Sequence, residues 1–142
     1  MPYSTKPQMW FWILAIIFLL WNLMGIGAWT GDYFYAEETM KQHSLEMQEM
    51  RNSYASWYTW VFFIAVFMGL VSCIALFFKK KNAVLFSVIS LVSVAVCKGY
   101  DLSKYAWNIF DPVNKFFLIA IPVFSIALWL FTRSAKSKGW LR

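Results

Sequence analysis

Charge is what this sequence has least of. Only 14% of its 142 residues are Asp, Glu, Lys or Arg, where a soluble domain carries about a quarter. Four long stretches, residues 7–31, 52–78, 82–97 and 116–132, hold no charge at all. An ionisable side chain at mid-depth is the usual mark of a proton pathway or a voltage sensor, and none stands within these runs, so both readings are disfavoured. Histidine occurs once, as His43, and cysteine twice, as Cys73 and Cys97, with no CxxC spacing. A thiol-oxidising membrane enzyme is therefore disfavoured. No nucleophile–base pair, metal box or cluster of polar groups at one depth stands out, so an enzyme is the least favoured class and no cofactor is expected.

Apolar residues fill the space that charge leaves: 61% of the chain is hydrophobic and 21% aromatic. A hydrocarbon core about 30 Å thick needs roughly 20 helical residues. The first two runs meet that length, and the third and fourth reach it with help from Lys98 and Lys115, whose stems extend along the helix toward the interface. A soluble core helix is a poor alternative, since residues 10–20 are apolar on every face and 142 residues can hardly bury four such helices. None of the runs alternates polar with apolar positions, which argues against a β-barrel. The first run is too long for a signal-peptide core and reads as a retained helix. These patterns predict an all-α, polytopic four-helix membrane bundle in a single domain. Its spans fall at about 9–30, 56–78, 82–99 and 114–132. Outer loops are expected at 31–55 and 100–113, a basic inner turn at 79–81 and a basic tail at 133–142.

Orientation follows from Lys and Arg. With both termini inside, Lys6, Lys79, Lys80, Lys81, Arg133, Lys136, Lys138 and Arg142 are cytoplasmic, leaving Lys41, Arg51, Lys98, Lys104 and Lys115 outside together with all seven acids. Trp10 and Trp12 then fall near the inner interface, and Trp29, Trp57, Trp60 and Trp107 near the outer one, where an amphipathic indole is most comfortable. The expectation is N-in, C-in. A net charge of +6 does not point to nucleic acid, because the cations punctuate the apolar runs and form no stripe along which a phosphate backbone would lie. The expected partners are the bilayer and other membrane proteins, or the chain itself.

Within the spans, Asn22 is the most polar side chain and must find partners on a neighbouring helix. Gly25 and Gly27 follow it and permit close approach. Ser87, Ser90 and Ser93 recur every third residue, with Cys97 four further on, which keeps them on one slowly drifting face. Helix packing is the favoured reading of both groups, and a polar solute path the alternative. Pro122 leaves the carbonyl of Leu118 without its helical donor and predicts a kink, while Asp111-Pro112 reads as a cap and first-turn proline. Cys73 and Cys97 should lie more than ~10 Å apart in depth at 1.5 Å per residue, beyond disulfide reach.

The outer loops suggest two interfacial helices. One covers AEETMKQHSLEMQEMRNS, with its acids early and Arg51 late. The other carries Leu102, Tyr105, Ala106 and Ile109 at helical spacing. Met40, His43, Met47 and Met50 share one face of the former, and thioethers with an imidazole suit Cu(I). An apolar stripe lying on the bundle or the lipid is the favoured reading, and no metal is expected.

Several segments together carry a resemblance. They are Trp21-Asn22-Leu23-Met24-Gly25, Ala65-Val66-Phe67 with Gly69 and Cys73, the turn Lys79-Lys80-Lys81, Leu85-Phe86, Ser90-Leu91 and the tail Ala135-Lys136-Ser137-Lys138-Gly139-Trp140-Leu141. Their order and spacing resemble a family of small four-span bacterial inner-membrane proteins without an established function, some of them labelled sugar transporters. The resemblance implies an inner-membrane location but no residue role, and Cys97 stands where the family pattern would place Gln. The favoured reading is a non-catalytic accessory or structural subunit of a larger membrane complex. The alternative is a small-solute transporter or channel acting as an oligomer.

Overall fold

Each apolar run forms one continuous helix. The computed structural model describes residues 6–35, 37–38, 41, 45–53, 56–104 and 112–142, and of residues 47, 50, 51, 113 and 114 the backbone alone. Its elements are α1 (Met9–Phe34), α2 (Leu45–Asn52), α3 (Ser56–Phe77), α4 (Asn82–Lys104) and α5 (Pro112–Ser137). All but α2 are long and apolar enough to cross a membrane, and there is no strand among the described residues. Only 22–33% of the most apolar stretch of each long helix is buried within the chain. So much outward apolar surface has no place in water, and the protein is a multi-pass membrane protein.

The helices outrun the charge-free stretches. α1 continues past residue 30 to Phe34, α4 past residue 99 to Lys104, and α5 past residue 132 to Ser137. Backbone hydrogen bonding does not stop at a first charge, and in α4 Lys98 and Asp101 are paired at i,i+3 spacing, which supports the helix they sit on. Leu102, expected on a separate interfacial helix, belongs to α4, and the other positions of that expected helix, Tyr105, Ala106 and Ile109, lie outside the described residues. Of the first expected outer helix, Leu45–Asn52 forms α2, and Pro112 opens α5 as expected of a proline at a helix start.

Neighbours in sequence are neighbours in space. α3 packs most extensively on α4, α1 packs on α3, and α5 on α4, whereas the backbones of α1 and α5 scarcely approach. Ala and Ser at the α3–α4 seam let those two helices come close, as small residues do in membranes. Large rings bridge α1 to α5 instead. Trp21 stacks on Phe124 with centroids 4.0 Å apart, and Phe18 stacks on Phe131 at 5.7 Å.

At the end of the bundle that holds the α3–α4 turn, hereafter the basic end, α3 and α5 stop in the same way. Lys79 (φ 54) and Gly139 (φ 76) adopt the left-handed conformation. Lys80 N–H reaches the carbonyl of Ala75 at 2.8 Å and Trp140 N–H that of Ala135 at 3.0 Å, while Lys79 and Gly139 N–H reach Leu76 and Lys136. This is the paired 6→1 and 5→2 pattern that closes helices at a left-handed residue. The two caps are then joined. Arg142 N–H donates to the Lys79 carbonyl at 2.6 Å, and Lys81 N–H donates to the Arg142 main-chain oxygen at 2.9 Å. Trp140 and Leu141 are buried beneath them, with Trp140 edge-on to Trp10 and Phe11.

A left-handed conformation costs an L-residue roughly 1–2 kcal/mol, and glycine nothing. Lys79→Gly is expected to raise stability by about 1 kcal/mol in detergent thermal unfolding, with no gain for Lys80→Gly. Equal effects at the two positions would contradict the cap.

Candidate functional site

The polar side chains of the spans are the natural candidates for function, and the structure distributes them over three seams. Asn22 is buried near the middle of α1, because α1 runs on to Phe34. The Nδ2 group donates to the carbonyl of Phe18 at 2.8 Å and to Cys73 Sγ at 3.7 Å. The rest of the amide occupies the space a side chain on Gly69 would need: a methyl there would run into Oδ1. Gly69 thus serves as the socket for Asn22 on α3. Three residues on, Gly25 does the same for α3, since a Cβ there would meet Val66 Cγ1 at 2.8 Å. Gly27 faces open space and takes no part in this approach.

The serine face of α4 is used helix by helix. Ser90 Oγ donates to the Ala65 carbonyl of α3 at 2.7 Å. In return Ser72 of α3 donates to the Ala83 carbonyl of α4 at 2.8 Å. A carbonyl has two lone pairs, so each accepts this bond without releasing its own helix. Ser87 turns the other way, to α5, with its Oγ 3.0 Å from Thr132 Oγ1. These two hydroxyls also reach the Val84 and Trp129 carbonyls of their own helices, at 2.7 and 2.9 Å. Each carries one proton, so the bond across the seam forms when one of them lets its own carbonyl go. Ser93 is buried on the same helix, as is Cys97. Asn22 serves the α1–α3 seam and Ser87 the α4–α5 seam, so the two candidates are not brought together.

α5 continues through Pro122, two residues before Phe124, whose ring stacks on Trp21. Cys73 and Cys97 are buried free thiols. Met40 and His43 of the thioether–imidazole face lie outside the described residues. Met47 and Met50 fall on α2, but their side chains are not described.

Sequence reasoning missed the polar cluster at the end opposite the basic one. Tyr58 Oη donates to Asp101 Oδ2 at 2.8 Å, and the Lys98 ammonium lies 3.4 Å from the same oxygen. Asp101 is only 2% exposed, where a loop position had been expected. Tyr100 joins its rim, 5.1 Å from Trp57 edge-on and 5.7 Å from Tyr58, and Lys98 also faces Phe62 at 5.9 Å. The cluster is a buried ion pair with a hydroxyl donor, tying α3 to α4. The i,i+3 spacing of Lys98 and Asp101 was the available signal. Gly69, Ser72 and Thr132 were visible only as small or weakly polar residues in apolar runs.

Near the same end, Trp29 Nε1 donates to the Thr59 carbonyl at 3.0 Å, and its ring lies 4.6 Å from Phe63 and 5.1 Å from Tyr33. An indole with its N–H on a neighbouring backbone and its face on other rings is a packing element.

No protein-family model matches the chain, and no curated protein or solved structure matches it significantly. The functional reading therefore rests on the geometry above.

Two substitutions test the seams. Gly69→Ala forces the Asn22 amide out of its socket and should cost about 1–3 kcal/mol, as overpacking does. In Asn22→Ala that clash is gone, so the double variant should be more stable than the sum of the two single losses allows. Strict additivity in chemical unfolding would refute the contact. Tyr58→Phe removes the hydroxyl donor to a buried carboxylate and is expected to cost about 1.5–3 kcal/mol. An unchanged unfolding midpoint would show that the cluster does not hold α3 to α4.

Proposed function

We propose that the chain is a non-catalytic integral membrane protein serving as an accessory or structural subunit of a larger membrane protein complex. On this proposal it is of the small four-span bacterial inner-membrane kind, with both ends cytoplasmic. One observation carries the reading. Asn22, Ser72, Ser87 and Ser90 spend their donors on helix carbonyls or on side chains across a seam. A solute path needs polar groups from several helices converging at one depth, and these are divided among separate seams.

What the bundle offers outward is compatible with the same reading. Ile13, Ile16, Ile17, Leu20, Leu23 and Met24 stand exposed along α1. Such a surface fits lipid tails and the apolar flanks of other spanning helices equally well, and a protein whose polar groups hold its own helices together is suited to present it.

The test is extraction of the tagged protein from its native membrane in a mild detergent, followed by size separation and mass-spectrometric identification of what co-migrates. Other membrane proteins in fixed stoichiometry are the expected result. Recovery as a homo-oligomer alone would overturn the subunit reading. The small-solute alternative would then be tested by uptake into vesicles, comparing the native chain with Asn22→Ala.

A further inference from the structure

The basic end carries more positive charge than its fold consumes. Lys79, Lys80, Lys81, Lys136 and Lys138 cluster where α3 and α5 terminate, and Asp32, Glu37, Glu38, Glu46, Glu49 and Asp101 all belong to the opposite end. Cations at a helix C-terminus do complement its dipole, but each terminus is worth only about half a negative charge. Two helix ends offset roughly one of five lysines. The surplus has no acidic partner among the described residues.

Nor is this charge spread along a loose tail. The bonds between Arg142 and residues 79 and 81 fuse the turn and the end of α5 into one piece of backbone. Lys138 is held in place, with its ammonium 4.6 Å from the Trp10 ring and 4.9 Å from the Trp140 ring. The two indoles hold this ammonium beside the helix termini, where α3 and α5 end. Lys80, Lys81 and Lys136 are exposed around it.

We propose that the basic end is a binding site for an anionic phospholipid headgroup. The phosphodiester sits against Lys79, Lys80, Lys81 and Lys138, and the acyl chains lie along the apolar helices. A lipid with two phosphodiesters answers the charge surplus better than one with a single phosphate. This assignment requires only that the basic end lie at a membrane surface. It stands apart from the subunit reading, whose test is co-migrating protein.

Lys79 provides an unusual control, because replacing it by glycine removes a cation while relieving a left-handed backbone. The full chain, purified in a neutral detergent, is titrated with cardiolipin, phosphatidylglycerol or phosphatidylcholine, and bound lipid is counted by native mass spectrometry. Both anionic lipids should be retained over phosphatidylcholine, cardiolipin most strongly, and the preference should weaken with salt. The variant Lys79→Gly/Lys80→Gln/Lys81→Gln should lose the preference by roughly a hundredfold, with no loss of thermal stability in lipid-free detergent. Should that variant misfold, Lys80→Gln/Lys81→Gln alone must still show a clear loss. Equal retention of phosphatidylcholine, an unchanged preference in the variants, or displacement of the lipid by millimolar inorganic phosphate would each overturn the assignment.

Discussion

A hydroxyl buried in hydrocarbon has no water to turn to, and its partner must come from the protein itself. The pairing of α3 with α4 is built on that constraint. Ser90 and Ser72 each give a proton to a carbonyl of the other helix, and only small side chains allow two backbones near enough for it. Interhelical bonds of this kind contribute modestly, on average about 0.6 kcal/mol in measured cases. Their larger effect is on register. Sliding α4 along α3 would part both hydroxyls from their carbonyls at once. α1 and α5 then attach to opposite flanks of this pair, one through Asn22 and Gly69, the other through Ser87 and Thr132.

The two ends of the pair are secured by different chemistry. At the basic end main-chain amides and carbonyls make the links, and lysines ride on them outward. At the other end a carboxylate is drawn inside and neutralised by a tyrosine hydroxyl and a lysine. An unpaired carboxylate would be prohibitively costly at 2% exposure, so Tyr58 and Lys98 are conditions of burying Asp101 there. The wide gap between α1 and α5 is closed by rings, whose bulk reaches across where backbones do not. Backbone proximity and aromatic reach thus divide the bundle between them.

The spans were legible because a continuous apolar run has few other fates. Their ends were not, because the first charge marks where lipid contact weakens and not where a helix stops. Asp101 is the clearest instance: an acid just past a span reads as a loop residue until its partner Tyr58, 43 positions earlier, is seen to reach it. Asn22 could be recognised as needing a partner, but its amide lies in the vacancy left by an absent side chain at Gly69, and absence has no signature in one sequence. Gly27 shows the converse, since glycine in a span also occurs where nothing approaches. The serine spacing revealed a shared face, and only the packed helices reveal that Ser87 and Ser90 serve different neighbours.

The serial order of the helices bears on how such a protein is made. Each spanning helix packs on the one synthesised just before it, so pairing can keep step with synthesis. α3 supplies the socket for Asn22 as it enters, α4 then locks onto α3, and α5 onto α4. The closure between α1 and α5 comes after these, as Phe11 and Trp10 receive Trp140 and Phe131. Residues 140–142 close the bundle, and a nascent chain lacking them would hold all four spans in the bilayer with its final stitch unmade.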